Sequence, residues 1–476
     1  MLSMPPEQAS TGAWRELLLG KNGLLALALT GGVALHAINI HIVTTVLPSV
    51  VRDIGGLDWY AWNTTLFVVA SIVGAALSVR LLAALKPRGA SMTALAVFAL
   101  GSAGCALAPS MPWMLASRGV QGLGGGTLAA LSYALIRVVF APPLWPRAVA
   151  LVSGMWGIAT LCGPAVGGLF AQVGHWRWAF WTLLPVSIMQ GLLVAVQLRP
   201  AVERASSTAA PSIPAAQIAL LAASVLAVAA GSLSAAMGWQ AAGVAAGLAF
   251  GAAAIVWDRR ALVRLLPSGG TEPGTPLGAV YASVALLLIG TTTEVFVPYF
   301  LQTLHGHTPL AAGYLTAAMA GGWSLGALLS SGHGGTGAAR LLRAGPVLCA
   351  ASLIALAIVV PAGASLAPTA RTLLSGLALA GAGAGVGIGW PHLLTRVLTL
   401  APHGEEGTAS AAITTVQLYG MAIGAAIAGL VANAAGLIVP GGTAGAQSAA
   451  AWLFASFAVA PVLAALAAHR ITSRAH

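Results

Sequence analysis

Fourteen apolar stretches recur along the chain, each close to the 20 residues that cross ~30 Å of hydrocarbon at ~1.5 Å per residue. A backbone held in hydrocarbon must satisfy its own hydrogen bonds, and segments of this length do so as helices. Six stretches lie near 23–50, 60–84, 91–109, 112–137, 147–171 and 179–198. Two shorter, Ala-rich ones follow near 218–237 and 240–257, and six more near 277–302, 308–331, 341–361, 369–395, 407–436 and 446–468. The expected fold class is therefore an all-α polytopic membrane protein. Residues 1–200 form a first six-span bundle, 201–276 hold a linker, two extra spans and a basic loop, and 277–476 form a second six-span bundle. Composition agrees, since a chain that is 58% hydrophobic and 7% charged has too little charge to coat a soluble surface.

Charge placement orients this plan. With the N-terminus inside, the Lys and Arg residues gather on the cytoplasmic side, the exceptions being Arg52, Arg177 and Arg371 outside and Arg118 within a span. This predicts a multi-pass protein of the cell membrane with both termini cytoplasmic. The net charge of +11 is spread singly between apolar runs and not collected on one face, so no nucleic-acid partner is expected. Cys105, Cys162 and Cys349 each lie in an apolar run without a C-x-x-C, which indicates neither a disulfide framework nor a metal site. No cofactor is expected. The first apolar run is too long for the core of a signal peptide and is taken as an uncleaved span. Two six-span halves joined by a linker are the repeat plan of many secondary transporters, and Gly122 to Gly126 is echoed by Gly381 to Gly385.

Three spans carry the residues with chemistry to offer. In the fifth, Gly163 and Gly167 make a G-x-x-x-G pair, and Pro164 takes the donor away from the carbonyl of Thr160. With Gly154, Gly157 and Gly168 they predict a bendable helix with a flat face, its freed backbone groups met by hydroxyls such as that of Thr160. In the fourth, Arg118, Gln121, Gly122, Gly125 and Ala129 form one stripe, and an arginine in this position needs a partner or a watery cavity. Glu294 is the one carboxylate well inside a span, and on a continuous helix it shares a face with Pro298 and Gln302. On the first span His36 and Asn39 share a face, whereas His41 lies roughly 200° around from Asn39. Asn39 and His36 are therefore assigned to the cavity and His41 to packing. Trp156, Tyr299 and Trp390 are candidate wall residues for a lipophilic cargo.

The spacing from Gly154 to Gly168 resembles the antiporter motif of the major facilitator superfamily, and Arg118-x-x-Gln121-Gly122-x-Gly124 resembles that superfamily's fourth-span motif. His175 to Trp181 with Pro185, and Val297 to Gln302 with Gly306 and Ala311 to Gly313, resemble the fourteen-span drug:proton antiporters. The resemblance implies the major facilitator fold, with the fifth span as a hinge at the contact between two rocking halves. It implies a role for Arg118 in proton coupling, and a cavity lined by the first, fourth and ninth spans, where Arg118, Glu294 and Asn39 can meet at similar depth. The function implied is a proton-driven exporter of lipophilic small molecules, working as a monomer, with cargo, protons and bilayer as its partners.

A dedicated exporter of one metabolite stays open. A membrane-embedded enzyme is the rival from another class, and the chain lacks H-E-x-x-H, G-x-S-x-G and P-loop patterns. Two departures from the family pattern stand out. The first span has Asn39 and His41 where an aspartate is usual, and Leu82 to Gly89 keeps the basic part of its loop motif without the acidic residue. With one carboxylate in the spans, the cargo is expected to be neutral, monocationic or weakly acidic.

Overall fold

A computed structural model describes residues 14–141, 144–198, 212–272, 274–362 and 365–473. The first half comprises α1 (Trp14–Leu18), α2 (Gly20–Ile54), a 3-10 turn at Leu57–Trp59, α3 (Trp62–Ala106), α4 (Met111–Val139), α5 (Trp145–Gln172), α6 (Trp176–Trp181) and α7 (Leu183–Gln197). The middle pair is α8 (Ala215–Gly231) and α9 (Met237–Arg260). The second half opens with α10 (Pro276–Thr291), a 3-10 segment at Thr292–Val295, α11 (Val297–His305) and α12 (Pro309–Ser330). It continues with α13 (Gly335–Val359), α14 (Pro368–Gly387), α15 (Trp390–Leu400), α16 (Glu406–Ala434), α17 (Gly442–Phe457) and α18 (Val459–Ser473). Most of the expected 199–214 linker lies outside the described residues.

Prolines decide where these helices divide. Lys86 stands at φ 60° and splits α3 into two rods just before Pro87, whose ring disfavours the helical conformation for the residue preceding it. The breaks between α6 and α7, α14 and α15, and α17 and α18 fall within the four residues before Pro185, Pro391 and Pro461, and the longer one between α10 and α11 includes Glu294, four residues before Pro298. That is the stretch whose carbonyl loses its donor and meets the proline ring. Setting aside the five-residue α1, counting the two rods of α3 separately and each broken pair as one, the described residues form fourteen rods in the order six, two, six. Ten helical stretches are long and apolar enough to cross a membrane by length and composition. The all-helical polytopic class read from the sequence is the class observed.

Each half is built around a glycine-rich rod. On α4, a side chain at Gly122 or Gly126 would collide with the backbone of Phe67 or Ser71 on the first rod of α3, and one at Gly124 with Phe98 on the second. On α14, Gly383 and Gly387 meet the backbone of Met319 and Trp323 on α12 in the same way, while Gly385 meets Cys349 on α13. Small residues let helix backbones touch where lipid supplies no hydrophobic drive between them. The two bundles thus repeat one packing scheme, and its register pairs Gly122, Gly124 and Gly126 with Gly383, Gly385 and Gly387. The sequence echo between 122–126 and 381–385 is out of step with this by two residues.

Contacts between the halves cluster toward one end. A side chain at Gly168 of α5 would lie 2.6 Å from the Cα of Leu310 on α12, and one at Gly313 would lie 2.7 Å from Thr45 and 3.1 Å from Pro164. The Tyr314 hydroxyl donates to the Leu161 carbonyl at 3.3 Å. Arg52, at the end of α2, donates to Gln302 of α11 at 2.5 Å. Tyr60, Phe296 and Phe300 stack in turn, with Tyr299 edge-on to Tyr60 and Phe300 and Phe454 edge-on to Phe300. Asn433 of α16 donates to the carbonyls of Asp58 and Ser232 at 3.1 and 3.0 Å.

Candidate functional site

The polar core of the first half is organised by Arg118, 1% exposed although it lies two turns into α4. It does not reach to the interface. Its Nε donates to the carbonyl of Asn63 at 3.2 Å, one terminal nitrogen donates to Gln121 Oε1, and its guanidinium lies over the Phe67 ring at 4.1 Å. Gln121 in turn donates to Ser102 at 2.8 Å. A carbonyl, an amide oxygen and an aromatic face together stand in for the carboxylate that a buried cation would otherwise require.

His36 of α2 stacks on the same phenyl ring, with centroids 5.3 Å apart, and meets Trp156 edge-on at 6.1 Å. Gly125 makes room for it, since a side chain there would lie 2.7 Å from His36 Nδ1. Arg118, Phe67, His36 and Trp156 therefore form one continuous column from α4 through α3 and α2 to α5. Asn39, one turn along α2 from His36, is 0% exposed. Both of its amide atoms and His36 Nδ1 lack a hydrogen-bond partner among the described residues. Buried polar atoms are rarely left so, and unpaired ones mark places where water or a ligand is bound. Phe67 joins this column with no signal in the sequence, because a phenylalanine in an apolar helix looks like any other. Asn63, which takes up Arg118 through its backbone, is equally silent.

The carboxylate does not join this group. Glu294 was expected beside Arg118, but the two ion pairs among the described residues are Arg177 with Asp53 and His403 with Glu406. Glu294 is half-buried on the 3-10 segment, with no hydrogen bond or ion pair among the described residues. The ring of Pro298 removes the donor for the Glu294 carbonyl, so the helix tightens to 3-10 pitch over Thr292–Val295. This breaks the continuous face on which Glu294, Pro298 and Gln302 were aligned. Gln302 is also displaced from the cavity, since it is bound to Arg52 at the end where the halves close. Tyr299 sits there too, edge-on to Tyr60 at 5.6 Å. Trp390 packs edge-on against Trp323 of α12 at 4.7 Å, just after the break that ends α14.

The glycines of α5 divide by face. Gly163 abuts His41 and Gly167 abuts Ile42 and Thr45, all on α2 of the same half. They were expected at the contact between halves, but Gly168 and Pro164 make that contact. His41 accordingly packs against Gly163. Among the described residues, no atom lies within 4 Å of a side chain built at Gly154 or Gly157. Pro164 lies inside a helix that is continuous from Trp145 to Gln172, and the Thr160 hydroxyl bonds the Trp156 carbonyl and not the one that Pro164 frees.

The chain matches the family described as Major Facilitator Superfamily over residues 29–425. It is 38% identical over 477 residues to a probable multidrug-efflux transporter of Mycobacterium tuberculosis, covering 99% of both chains. It is 29% identical to the multidrug transporter protein MdtP of Bacillus subtilis over 37% of this chain and 33% of that one. Among solved structures, a D-xylose-proton symporter aligns with a TM-score of 0.65 at 15% identity, covering 94% of this chain and 97% of that one. A bacterial homologue of the human lysosomal transporter Spinster, in an inward-facing and unoccupied conformation, aligns at 0.63 and 15% identity over 97% and 99%. With a family match across most of its length, a full-length relative and the same helical architecture, the chain belongs to the Major Facilitator Superfamily.

Proposed function

We propose that this transporter exports lipophilic small molecules across the cell membrane by alternating access, driven by protons moving the other way. The observation that carries the reading is the asymmetric seam between the halves. The stripe Gly157, Leu161, Pro164 and Gly168 faces one way on α5 at i, i+4, i+7 and i+11. It meets α12 at the last three positions and nothing within 4 Å at Gly157. The halves are locked at one end and parted at the other, which is one of the two end states that an alternating-access cycle requires. The similarity to a probable multidrug-efflux transporter supports outward movement of drug-like cargo. The proton role falls to Glu294, with Arg118 as the fixed positive charge of the other half. Asn39, His36, Gln121 and Trp156 line the cargo site. Residues 1–200 and 277–476 are the two rocking bodies, and the protein works as a monomer.

The basic bias supports placing both termini and the open end in the cytoplasm. A cysteine at position 238, in the first turn of α9, is then labelled by an impermeant maleimide from outside intact cells, and one at Ser268 is not. The reverse pattern overturns the orientation.

Export is tested in inverted vesicles with an imposed pH gradient and a panel of dyes and metabolites. Uptake of several unrelated lipophilic dyes is expected, with monocations moved faster than matched dications, because the spans offer a single carboxylate to balance cargo charge. Transport of one metabolite and no dye would replace this reading with a dedicated exporter. Equal transport of dications would mean that the site holds negative charge beyond Glu294.

A further inference from the structure

The two seams between the halves are not equivalent. On one side, α8 packs over the seam where the first rod of α3 and α16 touch each other. Phe67, Val68, Val69 and Ile72 of α3 are buried in one apolar cluster with Ile218, Val225, Val228 and Ala229 of α8 and with Ala422 and Ala426 of α16. The buried positions of α8 run from its basic end at Ile218 to Ala229 near its other end, so the seam is filled along its length. On the opposite side, between α5 and α12, no described residue fills the gap at the basic end. Gly157 and Gly154 of α5 and Gly321 of α12 each have no atom within 4 Å of a built side chain. Gly321 lies two turns along α12 from Gly313, on the same face, and Gly313 is packed against Thr45 and Pro164.

The filler is also fastened to one half alone. The Ser224 hydroxyl is 3.1 Å from the Tyr419 hydroxyl of α16, and the Ser232 carbonyl accepts from Asn433. Asp258, at the end of α9, takes the backbone N–H groups of Leu265 and Leu266 at 2.6 and 3.2 Å, with Gln217 at 3.4 Å. Glu405, ahead of α16, accepts from the backbone and hydroxyl of Ser268 at 2.6 and 2.8 Å, bonds that hold its carboxyl below the ordinary value. Among the described residues, no side-chain hydrogen bond joins α8 to α3. An apolar contact without directional bonds allows α3 to slide while α8 stays with α16 and keeps the seam shut.

We infer that lipophilic cargo enters sideways, from the hydrocarbon layer, through the gap between the basic ends of α5 and α12, because α8 closes the other lateral route. The entry leads to the site already described. Trp156, one residue from Gly157, is 37% exposed and stands edge-on to His36. Behind it lie the unpartnered atoms of His36 and Asn39. Around the gap, Ile158, Leu161, Leu325 and Leu328 are exposed, as side chains facing lipid would be. The cargo is accordingly a molecule that partitions into the bilayer and carries a hydrogen-bonding group for the histidine and asparagine. This inference rests on the export reading above.

The test uses the full chain with Cys162→Ala, which removes the exposed native thiol of α5, and adds Gly157→Cys or, on the facing wall, Gly321→Cys. Each is reconstituted and treated with a lipid-soluble pyrene maleimide. Labelling at both positions, quenching by brominated acyl chains, and a fall in dye export of about tenfold, equivalent to about 1.4 kcal/mol, are expected. Val69→Cys, under α8, stays unlabelled. The inference is overturned if fully labelled Gly157→Cys and Gly321→Cys proteins export at their unlabelled rates, if brominated lipid does not quench the label, or if Val69→Cys labels as fast as Gly157→Cys. Quenching needs no transport, so its failure stands apart from a failure of export. If the parent protein moves no dye, the export reading falls, whatever the quenching shows.

Discussion

Glu294→Gln is expected to cut export driven by a pH gradient while leaving cargo exchange without a gradient intact. Glu294 is the carboxyl within the helical spans that meets no partner among the described residues, and the one titratable acid on the 3-10 segment. A group that must be charged in one half of the cycle and neutral in the other can change only by taking up and releasing a proton. Glutamine keeps the shape and fixes the neutral state. Coupling energies of about 1–3 kcal/mol correspond to about 5- to 150-fold, and the gradient-driven rate is expected to fall by a factor in that range. The check is paired assays on one preparation, counterflow at equal pH and uptake under an imposed gradient. A variant that keeps both rates would remove Glu294 from coupling. Loss of both would make it a residue of the cargo site instead.

Gly168→Leu and Gly167→Leu should differ in kind although the positions are adjacent. A side chain at Gly168 meets the Cα of Leu310 across the seam at 2.6 Å, closer than real side chains approach backbone, so the locked end must part. Leucine there destabilises this end state relative to its opposite by about 1–3 kcal/mol, the usual cost of overpacking. That is enough to shift the population by about 5- to 150-fold. At Gly167 the obstruction is the Ile42 carbonyl at 2.8 Å, within the same half. The same leucine strains the first bundle in both end states and lowers thermal stability without favouring either. Spin labels at Ala141 and Gly332, exposed positions beside the basic ends of α5 and α12, read the difference. Their separation is expected to shorten in Gly168→Leu and to stay unchanged in Gly167→Leu. If both variants give the same distances, the contact between Gly168 and Leu310 has no part in setting the conformation.

The sequence by itself determined the number, order and approximate ends of the helices. In hydrocarbon an unsatisfied backbone costs several kcal/mol per group, so apolar length alone dictates a helical span. It also determined the repeat of glycine-rich rods, since glycine at i and i+4 in lipid has few uses other than close packing. Periodicity put His36 and Asn39 on one face and His41 on another, and the structure packs His41 against Gly163, because α2 is a continuous helix on which 100° per residue holds. The same arithmetic failed for Glu294 and Gln302, where Pro298 interrupts the helix between them.

What only the tertiary structure decided is which element each face meets. Gly163, Gly167 and Gly168 are equally bare in sequence, yet two pack within a half and the third packs across the seam. Arg118 announced that it needed a partner, but a carbonyl from Asn63, an amide from Gln121 and the ring of Phe67 are contributions whose choice depends on how α3 is laid against α4. The asymmetry of the two seams depends likewise on where α8 comes to rest. That is set by contacts between residues some 150 to 200 positions apart, and no local pattern along the chain records them.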